Sequence, residues 1–170
     1  LAYGLREEES YVLEFSSPMH DIGKIGIPDA ILNKPGRLDK AEYETMKLHA
    51  LYGYEILSAS PRGMLKAAAT VAYEHHEKWD GSGYPSGLVG DEIPLAGRLM
   101  ALADVYDALI SARVYKPAFP HAKAKEMILE GRGKHFDPDV VEAFLATEHE
   151  FAAIAAKYTE SFEEEDSPEC

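Results

Sequence analysis

Cysteine is almost missing from this chain: Cys170 is the only one, and it is the last residue. No disulfide framework can form, so packing has to hold the fold, which suits a reducing cytosol. Long apolar runs are missing too. No stretch approaches the roughly 18–20 residues of a membrane span, and Leu1-Ala2-Tyr3-Gly4-Leu5-Arg6 does not read as a signal peptide. Positive charge is scarce, with 17 Lys and Arg against 30 Asp and Glu and a formal net charge of −13. That balance excludes non-specific binding to DNA or RNA, which needs a basic footprint. It leaves open a small phosphate-bearing ligand, because a metal ion can supply positive charge locally. Strand-like alternation and internal repeats are absent as well.

What remains is enough for one globular domain. The 170 residues are 46% hydrophobic, sufficient to bury a core of their own. The acidic excess is uneven: Glu160, Glu163, Glu164, Glu165, Asp166 and Glu169 crowd the last eleven positions without a Lys or Arg. Residues 159–170 are therefore expected to be a solvated, disordered tail.

The rest reads as helices. Tyr11, Val12 and Phe15 give a helical spacing between Glu7 and about Pro18. His20–Ile27 reads as a short helical piece ended by Pro28, and 27–37, with two prolines and a glycine, as a loop. Asp39 and Glu42 form a capping box for a helix to about Ser58, with Met46, Ala50, Gly53 and Leu57 as its inner stripe. Ser60-Pro61 reads as a cap with proline at the first helical position, and the helix runs to about Glu77. Its inner side carries Leu65, Ala68, Ala72 and His75 or His76. The glycine-rich 78–92 is a fixed surface loop. Leu95–Ser111, apolar on nearly every side, is the central buried helix. His121–Glu130 is another helix, and Asp137-Pro138 starts a final one reaching about Tyr158. The fold class is all-α.

Several polar residues fall where a core is expected. His20 and Asp21 directly follow an apolar helix, His49 lies beside an inner stripe, His75 and His76 end an alanine-rich helix, and Asp104 sits within Ala101–Tyr106. A buried carboxylate costs several kcal/mol unless it is paired or binds a cation. A lone core histidine usually just satisfies a hydrogen bond, but this set on four segments points to a metal. His and Asp without Cys favour iron, manganese, zinc or nickel, and a carboxylate can bridge two ions. His121 and His149 are expected on exposed faces, His135 in a structural role, Asp107 as a partner behind the ligands, and Trp79 as packing or ligand contact.

These residues carry a family resemblance. His20-Asp21-Ile22-Gly23-Lys24 resembles the signature of HD phosphohydrolases. His75-His76-Glu77-Lys78-Trp79-Asp80-Gly81-Ser82-Gly83-Tyr84-Pro85 resembles the longer, far more specific HD-GYP signature. The match continues through Ala103–Leu109, Arg113, Tyr115-Lys116 and Gly133–Pro138. The resemblance implies an HD-domain helical bundle around a buried two- or three-metal centre, iron or manganese first, with nickel or zinc as other fits. It implies hydrolysis of cyclic di-GMP to linear pGpG, GMP or both. By position, His20, Asp21, His49, His75, His76 and Asp104 would be metal ligands, with Asp21 bridging. Lys24 would assist the leaving oxygen, and Tyr84, Pro85, Arg113 and Lys116 would hold the substrate. Gly81 and Gly83 would let backbone approach the ligand.

The same resemblance implies a helix before Leu1 that supplies a His, and in three-metal relatives a Glu; no histidine precedes His20 here. Residues 1–158 are thus expected to be an HD-GYP catalytic domain without its usual first helix, binding metal weakly and turning over little. The alternative is a catalytically impaired module that binds the dinucleotide or a protein. Further expectations are a bacterial cytoplasmic signalling protein with a sensory or receiver domain upstream, a homodimer, and cyclase or regulatory partners.

Overall fold

The computed structural model describes residues 3–111 and 118–165, with side-chain surroundings to residue 157. Helix α1 (Glu7–Ser16) leads through a 3-10 turn, Ser17–Met19, to a second one, Ile22–Gly26. Then come α2 (Asp29–Leu32), α3 (Lys40–Ser58), α4 (Gly63–Glu74), α5 (Leu95–Ile110), α6 (His121–Glu130), α7 (Pro138–Ala146) and α8 (Glu148–Glu165). Among the described residues there are isolated bridges, such as Asp80 to Val89, but no β-strand. The all-α expectation holds. No helix of the described residues is long and apolar enough to cross a membrane.

The expected capping box forms: Asp39 Oδ1 accepts from the Glu42 N–H at 2.9 Å, and Glu42 returns the bond to the Asp39 N–H at 2.8 Å. The inner stripe of α3 is His49, Ala50, Gly53 and Leu57; Met46 is half-buried. Helix α4 starts later than expected. Arg62, not Ser60, is its N-cap, because Ser60 closes the turn after α3 by donating its N–H to the Leu57 carbonyl. The 27–37 loop contains the single turn α2.

The last helix is two. Thr147 Oγ1 donates to the Ala143 carbonyl at 2.9 Å, and α7 ends there. Such a local side-chain bond competes with helix continuation. The break lets Phe151 of α8 pack on Tyr106 and Phe144, at ring centroid distances of 5.1 and 4.9 Å. Helix α8 then continues to Glu165, through a segment expected to be disordered; glutamate is a good helix former.

Two apolar clusters hold the bundle. One gathers Leu102, Tyr106 and Leu109 of α5 with Ala124, Ile128, Val140, Val141 and Phe144. The other joins Leu57 of α3 to Ala68, Ala69 and Ala72 of α4. Small residues let α3 and α4 approach closely, and the second 3-10 turn packs on α3 beside them. That approach brings the polar residues of different segments to one place.

A candidate metal centre

The second 3-10 turn sits on α3 through Gly23. A Cβ there would lie 2.0 Å from the His49 carbonyl oxygen and 2.4 Å from the Gly53 nitrogen, so only glycine fits. This contact presents Asp21, the N-cap of the turn, to His49. Helix α4 ends at Glu74 rather than Glu77, leaving His75 as its C-cap and His76 just beyond. Asp104 comes from the middle of α5.

The six residues converge. Asp21 Oδ1 lies 3.5 Å from His49 Nε2 and 3.9 Å from His75 Nε2. Its Oδ2 lies 3.4 Å from His20 Nε2 and accepts from Lys24 Nζ. His20 Nε2 is also 3.7 Å from Asp104 Oδ1. Ligand atoms of His49, His75 and His76 all lie within 4.8 Å of one another. Lys24, Asp21, His76 and Asp104 line a cavity of about 260 Å³, floored by Val105, Ala108 and Leu109.

The donor chemistry fits a divalent ion. Nδ1 of His20, His49 and His75 each faces a backbone carbonyl, at 2.8 Å (Ser17), 2.7 Å (Met46) and 3.0 Å (Ala72). A proton on Nδ1 satisfies each carbonyl and leaves Nε2 as a lone pair turned inward. The Nε2 atoms of His49 and His75 are only 3.3 Å apart, two lone pairs facing each other, an arrangement a cation resolves. Desolvation, above all, lowers the pKa of His49, His75 and the half-buried His76, His75 to about 4 and His76 to about 3, so they stand neutral. His20 differs. Burial opposes its charge, but Asp104 and Asp21 outweigh burial and push it up to about 10. Carboxylates that hold a proton there would also hold a metal ion, which takes its place once the imidazole is deprotonated. Asp21 stays well below the usual carboxylate range: burial raises it, and His20 and Lys24 more than reverse that. Asp104 is lowered in the same way, His20 outweighing burial.

Of the four residues expected to hold the substrate, two lie among the described residues. The Tyr84 ring lies 4.7 Å from His76, and burial raises its hydroxyl pKa. Pro85 is exposed and follows a cis peptide. Arg113 and Lys116 lie outside the described residues. Gly83 serves the protein itself: a Cβ would strike the Lys78 nitrogen at 2.3 Å and the His76 carbonyl oxygen at 2.6 Å. A Cβ on Gly81 would likewise meet Val89. Both glycines let the loop pack closely on itself. Asp107, expected behind the ligands, is exposed. His121, expected in solvent, lies 2.8 Å from the Tyr106 hydroxyl, while His149 is exposed as expected. Trp79 packs beneath the Arg98 guanidinium, 5.8 Å from its ring. His135 stacks on Phe136 and accepts from the Trp79 N–H at its carbonyl.

Sequence reading missed Glu77. It is 1% exposed, and its carboxylate accepts the N–H groups of Ser86 (2.6 Å), Gly87 (3.0 Å) and Leu88 (3.1 Å). This one side chain ties the Gly-Tyr-Pro loop to the end of α4, beside the histidines. Glu77→Gln turns one acceptor into a donor that faces donors. Charged hydrogen bonds contribute about 1.5–3 kcal/mol each, so the variant is expected to lose about 2 kcal/mol of stability. Amide hydrogen exchange at 84–90 should accelerate; unchanged protection there would show that the tether does not hold the loop.

Comparison with known proteins agrees with this geometry. A family model described as HD domain matches residues 1–140. The chain is 58% identical over 151 residues to a cyclic di-GMP phosphodiesterase of Vibrio cholerae, covering 86% of this chain and 31% of that protein. It is 46% identical over 156 residues to the cyclic di-GMP phosphodiesterase response regulator RpfG of Xanthomonas campestris, covering 92% and 41%. It is 48% identical over 154 residues to a 3'3'-cGAMP-specific phosphodiesterase of Vibrio cholerae, covering 91% and 30%. The chain thus spans 30–41% of the length of these curated relatives. A crystal structure of a cyclic GMP-AMP phosphodiesterase from Vibrio cholerae shares the fold, with TM-score 0.57 and 22% identity over 82% of this chain and 38% of that one. With the His-Asp pair, the His-His pair and the Gly-Tyr-Pro loop drawn into one place, the chain belongs to the HD domain family, in its HD-GYP branch.

Proposed function

We propose that this chain is the catalytic domain of a metal-dependent phosphodiesterase that opens cyclic di-GMP to linear pGpG, GMP or both. The observation that carries the reading is the position of Asp21, with one oxygen toward His49 and His75 and the other toward His20. His20, Asp21, His49, His75, His76 and Asp104 would hold two or three divalent ions, iron or manganese before nickel or zinc. When bound, such ions supply Lewis acidity toward the phosphate and lower the pKa of nearby water.

The chain's own residues do the rest. Histidines protonated at Nδ1 toward backbone keep Nε2 available without rearrangement. Lys24, 40% exposed at its side chain and paired with Asp21, faces the same cavity. Its ammonium would donate a proton to the oxygen that leaves phosphorus as water adds on the opposite side. Tyr84 and Pro85 would form the rim, and Arg113 and Lys116 would meet the phosphates, the arginine as a planar fork and the lysine as a point charge. The wider role we assign is output domain of a bacterial cytoplasmic signalling protein. A homodimer and cyclase or regulatory partners belong to that assignment.

The test is direct. The purified chain, loaded with ferrous or manganous ion, is given cyclic di-GMP and 3'3'-cGAMP, and products are separated by chromatography. The expected result is linear product from cyclic di-GMP, abolished by a chelator and restored by metal. Binding without product would replace the enzyme with a cyclic-dinucleotide-binding module.

A further inference from the structure

The Tyr84 ring touches His76 of the candidate metal centre and also meets the first turn of α3. Tyr43, in the first turn of α3, presents its ring edge-on to Tyr84 at 6.4 Å. Lys47 lies one turn on, its Nζ 5.6 Å from the centres of both rings. Tyr43 is 48% exposed, a large aromatic side chain left open beside a buried metal-ligand cluster. The contacts therefore run from His76 to Tyr84, then to Lys47 and Tyr43.

We infer that Tyr43 and Lys47 form a nucleobase platform that takes the purine next to the scissile phosphate, guanine in preference to adenine. The inference rests on the phosphodiesterase reading of the neighbouring site. An exposed aromatic ring beside a phosphodiester centre offers a base its π-face, and an ammonium bridging two rings adds a cation–π contact. A purine would lay its face on the exposed Tyr43 ring and turn its polar edge to Lys47. Lys47 supplies the discrimination. Guanine presents two acceptors, N7 and O6, on one edge, whereas adenine pairs its N7 acceptor with an N6 donor that would oppose an ammonium. The exposed Glu44 pairs with Lys47 at 2.7 Å, fixing the ammonium over the rings while leaving donors to spare.

The experiment is steady-state kinetics on the metal-loaded chain with cyclic di-GMP and cyclic di-AMP. Tyr43→Ala should raise KM for cyclic di-GMP about tenfold with kcat lowered less than twofold, the size expected for one lost base–aromatic contact. Tyr43→Phe should restore KM, and Lys47→Met should reduce the preference for cyclic di-GMP over cyclic di-AMP severalfold. A Tyr43→Ala chain with wild-type KM, or one that loses kcat alone, overturns the platform. A wild-type chain that neither cleaves nor binds either dinucleotide overturns the phosphodiesterase reading instead, and the platform with it.

Discussion

Asp21→Ala is expected to abolish metal binding and turnover together. Among the described residues, Asp21 is the carboxylate whose two oxygens separate His20 from His49 and His75. Without it, the inward lone pairs of His49 and His75 keep their 3.3 Å approach with less negative charge to hold a cation. Lys24 also loses its partner and brings an uncompensated ammonium to the cavity. Lewis-acid stabilisation is worth several kcal/mol, so kcat should fall about a thousandfold or more, since each 1.36 kcal/mol is a factor of ten. Asp21→Asn keeps the shape but halves neither problem: it can neither bridge as an anion nor neutralise Lys24. Elemental analysis beside turnover checks this. Full metal content with normal turnover in Asp21→Ala would remove the carboxylate from the centre.

The second large effect belongs to a residue with no side chain. Gly23→Ala would drive a methyl group into the backbone of α3 at His49 and Gly53. Both obstacles are main chain within a helix, so neither can turn aside as a flexible side chain would. Overpacking of this kind costs about 1–3 kcal/mol, occasionally more. For a domain of this size, about 3 kcal/mol lowers Tm by roughly 6–12 °C. The turn can escape only by lifting off α3, which carries Asp21 away from His49. Thermal unfolding and metal affinity should therefore fall together. A variant that melts like the wild type would mean that the turn does not rest on α3 as described.

The contrast between these two residues shows what could be read from the chain alone. Asp21, His49 and Asp104 are legible because a polar residue in an apolar stripe stands out locally, and helical periodicity says which face it shares. Asp39 and Asp137 are legible for the same reason, since a cap is a contact within a few residues. Glu77 is not. It follows two histidines at a helix end, where a glutamate ordinarily meets water, and its burial arises only when residues nine to eleven positions later fold back over it. An acid directly before a glycine-rich loop, whose amides need acceptors, is the signal that could have found it. His121 was misplaced because periodicity assigns a face without naming its cover, here Tyr106 of α5. Gly83 was recognised as a close-approach position, but not that the approaching group is the chain's own backbone.

The tether at Glu77 has an engineering consequence. It grips main-chain amides at 86, 87 and 88, so the grip is indifferent to the side chains at 86 and 88 provided neither is proline, which has no N–H to offer. Attachment and identity of this stretch are thereby uncoupled. Loop variants drawn from other sequences can be grafted at those two positions while the anchor point beside the histidines stays where it is, making the rim a place to vary chemistry without rebuilding the scaffold beneath it.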